Sequence, residues 1–229
     1  MKKIVYILTS LLILSCSNNQ ESESKSNNNN NNNNTKTIGC GYAENNLLDD
    51  PSILCGVSNS RRGFVSNRDA ELALKRISDV SGITNNFVMQ ECLDINNCYA
   101  VTLAGVRYIL YDPNFMEDIS NQTNEWSNLS ILAHEIGHHV NGHSLDLALS
   151  GDDDIDGLTL EEHRRDELEA DYYSGFIMYK LGASLAQAQQ AINNLPDHNN
   201  PNSTHPPKKE RLLKIEEGYL KASGNSNSS

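Results

Sequence analysis

The chain is short of positive charge. Its 18 lysines and arginines stand against 30 aspartates and glutamates, a formal net charge of −12 at pH 7. Such a chain repels phosphate backbones and bare anionic lipid, which excludes nucleic acid as a partner and charge as a means of holding a membrane. Long hydrophobic runs are missing as well. The apolar stretch Ile4 to Leu14 falls well short of the roughly 20 residues that a permanent transmembrane helix needs. Cysteines are few, and none lies near the clustered histidines in sequence, which argues against a thiolate metal site.

What the first residues do contain is export chemistry. Met1-Lys2-Lys3, the apolar stretch and Ser15 read as a signal peptide over 1–15. Ile13-Leu14-Ser15-Cys16 resembles a bacterial lipobox, which makes Cys16 the expected lipidation site and the first mature residue. Residues 16–38 are dominated by Ser and Asn, with Asn27 to Asn34 an unbroken run, so they are expected to form a disordered tether. About twenty such residues reach roughly 25 Å. Glu21 and Glu23 resemble signals that carry some lipoproteins to the cell surface. The expected location is therefore the outer membrane, on its periplasmic face or at the cell surface. Residues 39–223 suit one domain, with a disordered tail at 224–229. Four cysteines remain in an exported chain and read as two disulfides, which leaves three connectivities. Proximity favours Cys40–Cys55 and Cys92–Cys98.

Within the domain, Arg68 to Val80 carries Ala70, Leu74 and Ile77 at helical spacing. Phe87-Val88-Met89 reads as a strand, and Tyr99 to Leu103 with Val106 to Tyr111 as a hairpin about Ala104-Gly105. Asp112-Pro113 ends it, with a short helical turn expected at Phe115 to Ile119. Asn124 to Asn141 is helical, with Leu129, Ala133, Ile136 and Val140 as its core face and Asn141-Gly142 as its stop. Thr159-Leu160-Glu161-Glu162 is a capping box opening a helix that runs to Leu181 and Gly182. Two more helices are expected, Ser184 to Asn193 and Lys208 to Lys221, around a proline- and asparagine-rich loop. The fold class is α+β, mainly helical, with a small antiparallel β-sheet or hairpin ahead of the central helix.

That central helix carries His134-Glu135-Ile136-Gly137-His138, an H-E-x-x-H. Histidines four apart share one helix face, and two imidazoles so placed can hold one zinc ion. A catalytic zinc needs a third protein ligand. Asn141 and Ser144 stand where a metzincin has its Gly and third His, so that option fails. His143 would lie about 140° round from His138 unless the helix breaks at Gly142. In the next long helix, Glu167 and Asp171 share a face one turn apart, a pairing of metal ligand and hydrogen-bond partner for a ligand histidine. Glu169 points the other way. His139 and His143 read as structural.

These motifs together resemble the gluzincin peptidases grouped with the CAAX prenyl proteases and heat-shock protease X, the soluble periplasmic members above all. The likeness includes Gly105-Val106-Arg107-Tyr108-Ile109 as the edge strand before the active-site helix. It includes also Ser203-Thr204-His205-Pro206-Pro207 with Arg211. Asn97-Cys98 departs from the family's usual Asn-Ala. The resemblance implies a zinc-dependent metalloendopeptidase with one Zn2+ per chain on His134, His138 and Glu167. Zinc would lower the pKa of water from 15.7 toward about 7. Glu135 would serve as general base. Asp171 would orient a ligand histidine, and the resemblance makes His205 a transition-state donor or displaceable fourth ligand with Arg211 bracing its loop. Tyr99 to Leu103 would hold a peptide or unfolded protein by strand addition.

Two other readings remain beside this one. A non-catalytic or latent peptide-binding lipoprotein would use the same fold, although pure binding has no need of Glu135. Asp152 to Gly157 reads D-x-D-x-D-G, the start of a Ca2+ loop, but position twelve is His163 where a bidentate Glu is required. An acidic linker ahead of the capped helix describes it better. The stretch Asp146 to Asp171 would favour basic substrates if it lined the cleft.

Overall fold

In the computed structural model the described residues are residue 55 and residues 68–103, 105–144, 159–197 and 200–224. The expected signal peptide, tether, Cys16, Cys40, the Asp152–Gly157 stretch and all but the first residue of the tail lie outside them. Helix α1, Arg68–Ser81, is the first described helix and buries Leu74, Ile77 and Ser78. Its apolar spacing is that expected. Strand β1 is Phe87–Glu91, β2 is Cys98–Leu103 and β3 is Val106–Tyr111. The expected hairpin is β2–β3, turned at Gly105 with φ +77°.

The sheet is mixed, where an antiparallel one was expected. Its order is β1-β3-β2, and β1 runs parallel to β3 with Phe87 opposite Arg107 and Glu91 opposite Tyr111. The reason is the return of the chain: β3 folds back between β1 and β2. Val106 to Ile109 of the segment that the resemblance made an edge strand therefore lie in the central strand, and β2 is at the edge. One side chain ties the turns there. Buried Asp112 accepts from the Asn96 N–H at 2.8 Å and from the Asn114 N–H at 2.9 Å. It thereby caps helix α2, Pro113–Gln122, which is longer than the single turn expected; Pro113 takes an early position that needs no donor.

The two faces of the sheet bury different sets. Cys98, Phe87, Met89, Ile109 and Tyr111 join the main core with α1, α2 and the later helices. Cys92, Val101, Leu103 and Leu110 form a smaller cluster, against which Cys55, Ile95, Tyr99 and Tyr108 pack. This decides the disulfide. Cys55 is bonded to Cys92 across a sequence separation of 37, with Cα atoms 4.6 Å apart. Neither expected bridge, Cys40–Cys55 or Cys92–Cys98, is therefore formed. Cys92 and Cys98 belong to clusters on opposite sides of the sheet, so their closeness in sequence does not bring their sulfurs together.

Helix α3, Glu125–Asn141, is capped by Asn124, whose side chain accepts from the Trp126 N–H, and ends at Gly142 in the left-handed region. It differs from the amphipathic helix expected. Nearly every residue from Ser127 to His139 is buried, and Val140, expected in the core, is 41% exposed. A helix buried all round is the centre of the domain. Helix α4, Leu160–Leu181, carries the capping box at Thr159 and stops at Gly182, as expected. Helix α5 is Leu185–Asn194, with a second capping box between Ser184 and Gln187, and α6 is Lys208–Ser223. Among the described residues no helix is long and apolar enough to cross a membrane.

Two close approaches set the site. A Cβ on Gly137 of α3 would lie 3.1 Å from the Cα of Ala170 on α4, so these helices meet nearly backbone to backbone. Helices α4 and α6 interlock through glycines: a Cβ on Gly175 would collide with the Ile215 carbonyl, and one on Gly218 with that of Tyr172.

Candidate metal centre

Because α3 and α4 touch at Gly137, the face bearing His134 and His138 meets the face bearing Glu167 and Asp171. The Nε2 atoms of His134 and His138 are 3.1 Å apart. Glu167 Oε2 lies 3.4 Å from His134 Nε2, and its Oε1 lies 3.4 Å from His138 Nε2. All three side chains are buried, and their ligand atoms lie within 4.8 Å of one another. Both Glu167 oxygens are buried without a hydrogen bond. A shared cation fits this set: two imidazole nitrogens and a carboxylate aimed at one point are the donors zinc takes, and it would satisfy the two carboxylate oxygens.

The surroundings hold each ligand. His134 Nδ1 is 2.9 Å from Asp171 Oδ1, the pairing expected of Asp171. Arg211 grips that same carboxylate, donating from Nε to Oδ2 at 2.7 Å and from Nη2 to Oδ1 at 2.8 Å. Its Nη2 also lies 3.6 Å from Glu167 Oε2. Arg211 thus braces a carboxylate of the site, where the resemblance had it bracing the loop.

The loop is clamped by Arg164, which the sequence reading passed over. Its Nε donates to the Ser203 carbonyl at 2.9 Å and its Nη2 to those of Pro201 and Asn200 at 2.7 and 3.3 Å. A signal was there: Arg164, Glu167 and Asp171 are spaced i, i+3, i+7 along one helix face. The clamped loop delivers His205 to the site, with Nε2 3.7 Å from Glu167 Oε2.

His143 returns to the site as well. Gly142 has φ +80° and ends the helix, so His143 folds back with Nδ1 3.2 Å from His138 Nδ1. Its Nε2 lies 3.2 Å from Glu169 Oε2. Glu169 does point away from the ligands, toward this histidine. His139 is structural, as expected. Its Nε2 meets the Tyr108 carbonyl at 2.8 Å and its Nδ1 meets Ser144 Oγ at 2.6 Å, joining α3 to β3.

Electrostatics follow from burial and these pairs. Burial would lower His134, but Asp171 and then Glu167 outweigh it and raise the imidazole to about 10. Glu135 is wholly buried, and burial pushes its carboxyl up to about 8, with His134 opposing and Glu167 adding to the rise. Burial lowers His138. Glu167 and Asp171 are held down despite burial, Glu167 by His205 and the two α3 imidazoles, Asp171 by Arg211 and His134. One carboxyl poised high beside two held low leaves Glu135 able to carry a proton while Glu167 and Asp171 stay charged.

The family model for peptidase family M48 matches residues 152–218. That segment contains Glu167, Asp171, the His205-Pro206 loop and Arg211, and stops short of the H-E-x-x-H helix upstream. No curated protein matches the chain. Peptidases of this family are zinc-dependent. The matched helices and the unmatched histidine helix complete a single centre in three dimensions, and over residues 152–218 the chain is similar to peptidase family M48.

Proposed function

We propose that the protein is an exported, lipid-anchored zinc endopeptidase that cuts unfolded or extended protein segments. The observation that carries this reading is the convergence of His134, His138 and Glu167 beside a buried, unspent Glu135. His134, His138 and Glu167 would hold a zinc ion, which would supply the Lewis acidity that polarises a scissile carbonyl and acidifies water. The other tasks fall to the chain. Asp171, fixed by Arg211, holds the proton on His134 Nδ1 and so keeps Nε2 free to ligate. Glu135 takes a proton from the attacking water and returns it to the leaving nitrogen. Burial pushes its carboxyl up to about 8, and a cation held by the neighbouring residues would bring it down toward the working range of a base. Strand β2 is an edge of the sheet and packs beside α3, so an extended substrate can pair with it.

Export through residues 1–15 and lipidation at Cys16 complete the proposal. Replacing Cys16 with alanine should remove the lipid mass from the mature protein. The decisive experiment is Glu135→Gln. Zinc content should stay at one per chain while cleavage of an unfolded protein falls about 10²–10⁴-fold. Undiminished cleavage would overturn the mechanism.

One contact favours a second reading, a latent enzyme or peptide binder. His205 Nε2 stands 3.7 Å from Glu167 Oε2, within reach of the ligand cluster. If His205 acts as an occluding fourth ligand, His205→Ala raises basal cleavage. If it donates to the transition state, the same change lowers it.

A further inference from the structure

We propose that His143 is a positioning residue of the metal centre, which orients the His138 imidazole and is itself held from α4 by Glu169 and Asp166. The proposal rests on the zinc reading above.

The two ligand histidines need the same thing from their surroundings. A ring that ligates through Nε2 must carry its proton on Nδ1, and a partner at Nδ1 selects that tautomer and the ring angle. His134 has the carboxylate of Asp171 for this. His138 has His143, Nδ1 to Nδ1 at 3.2 Å. Only one polarity suits ligation. His138 Nδ1–H donates to His143 Nδ1, which leaves the His143 proton on Nε2. That Nε2–H faces Glu169 Oε2 at 3.2 Å, with Asp166 Oδ1 at 3.8 Å. The acceptor at the far end is thus a carboxylate, which fixes the direction of the whole chain of bonds. Arg165 flanks it, 3.4 Å from Asp166 Oδ1 and 3.9 Å from Glu169 Oε1.

The backbone is arranged to make this contact. Continued helix would carry His143 to the far side of α3 from His138. The left-handed Gly142 turns the chain back, and the His143 N–H bonds the His138 carbonyl at 2.9 Å. The His143 ring is then nearly sealed, with its side chain 7% exposed, while Glu169 is half exposed. A histidine placed for solubility would not be folded back and buried against a ligand.

The test is zinc affinity of the purified full-length protein, measured by competition with a chromophoric chelator. His143→Ala should weaken zinc binding by about 10–100-fold. His143→Asn, whose amide oxygen can accept from His138 at the Nδ1 position, should recover most of it. Rescue by Asn separates orientation from mere filling of space. Glu169→Ala, at a half-exposed position that folding tolerates, should weaken binding by a smaller factor in the same direction. The proposal is overturned if His143→Ala binds zinc as tightly as wild type, or if Asn does no better than Ala. It is overturned also if an unfolded His143→Ala leaves Glu169→Ala as the readout and that variant binds normally. Wild type failing to bind zinc is a different result, which removes the reading beneath.

Discussion

Arg211, Asp171 and His134 form a buried line in which each group justifies the next. Asp171 is 1% exposed and Arg211 4%, so each charge depends on the other for its solvation. Arg211→Met keeps the volume and removes the charge. It should cost about 3–5 kcal/mol in urea unfolding, because the buried Asp171 carboxylate loses its guanidinium partner and keeps only His134. A second consequence concerns protons. With His134 raised to about 10, its imidazole is charged at neutral pH in the bare protein. Zinc must displace that proton, so affinity should climb with pH through neutrality and level off near the raised value. Calorimetry in buffers of different ionisation enthalpy should show about one proton or more released per zinc. No release would mean that the site is already deprotonated. At this scale the H-E-x-x-H residues and the Glu167–Asp171 pair were legible, because spacing on one helix fixes which side chains stack. Arg164 and His143 were not, because their partners come from another helix or from a chain reversal at one glycine.

Helices read well from the sequence for local reasons: capping boxes, glycine stops and apolar spacing all act within a few residues. Leu160–Leu181 begins and ends where Thr159 and Gly182 require. The α3 helix was harder. Its stripe of Leu129, Ala133 and Ile136 described one buried face, while the metal face is buried too, against α4. Sequence periodicity cannot register a polar face that is covered by another polar face. The α4–α6 contact makes a prediction at this level. Alanine is a better helix former than glycine by about 1 kcal/mol. Yet Gly175→Ala or Gly218→Ala puts a methyl group into the opposing backbone, with about 1–3 kcal/mol or more of overpacking. Each variant should therefore lower the denaturation midpoint, and should loosen zinc as α6 carries Arg211 outward. An unchanged midpoint would show that the helices can part at no cost.

For the whole molecule, pH and the covalent cross-link bear on stability. His139 ordinarily titrates at 6.5, and burial against β3 lowers it to about 4. The unfolded chain then takes up this proton first as pH falls. His139 stabilises fully above pH about 6.5 and loses that stabilisation progressively toward 4. Acid titration of His139→Gln should flatten this part of the stability curve relative to wild type. An identical curve would mean that His139 is protonated in the fold. The Cys55–Cys92 bridge closes a loop with a separation of 37, worth about 4 kcal/mol on chain entropy. Peptide mapping without reductant should recover Cys55 joined to Cys92, and reduction should lower the thermal midpoint.

The sequence by itself determined the helices, the hairpin, the chemistry of the two histidines and their glutamate, and the acidic pair that answers them. Each of these depends on neighbours within a turn or two, where spacing and geometry are the same statement. Tertiary structure alone decided the parallel pairing of β1 with β3 and the side of the sheet on which each cysteine lies. It also decided the loop clamp of Arg164, the hold of Arg211 on Asp171 across 40 residues and that of Glu169 on His143 across 26. These depend on which surfaces close on one another, and no local pattern encodes that choice. The candidate metal centre belongs to both: the residues that could hold an ion are written along two helices, and the contact of Gly137 with Ala170 makes them one site.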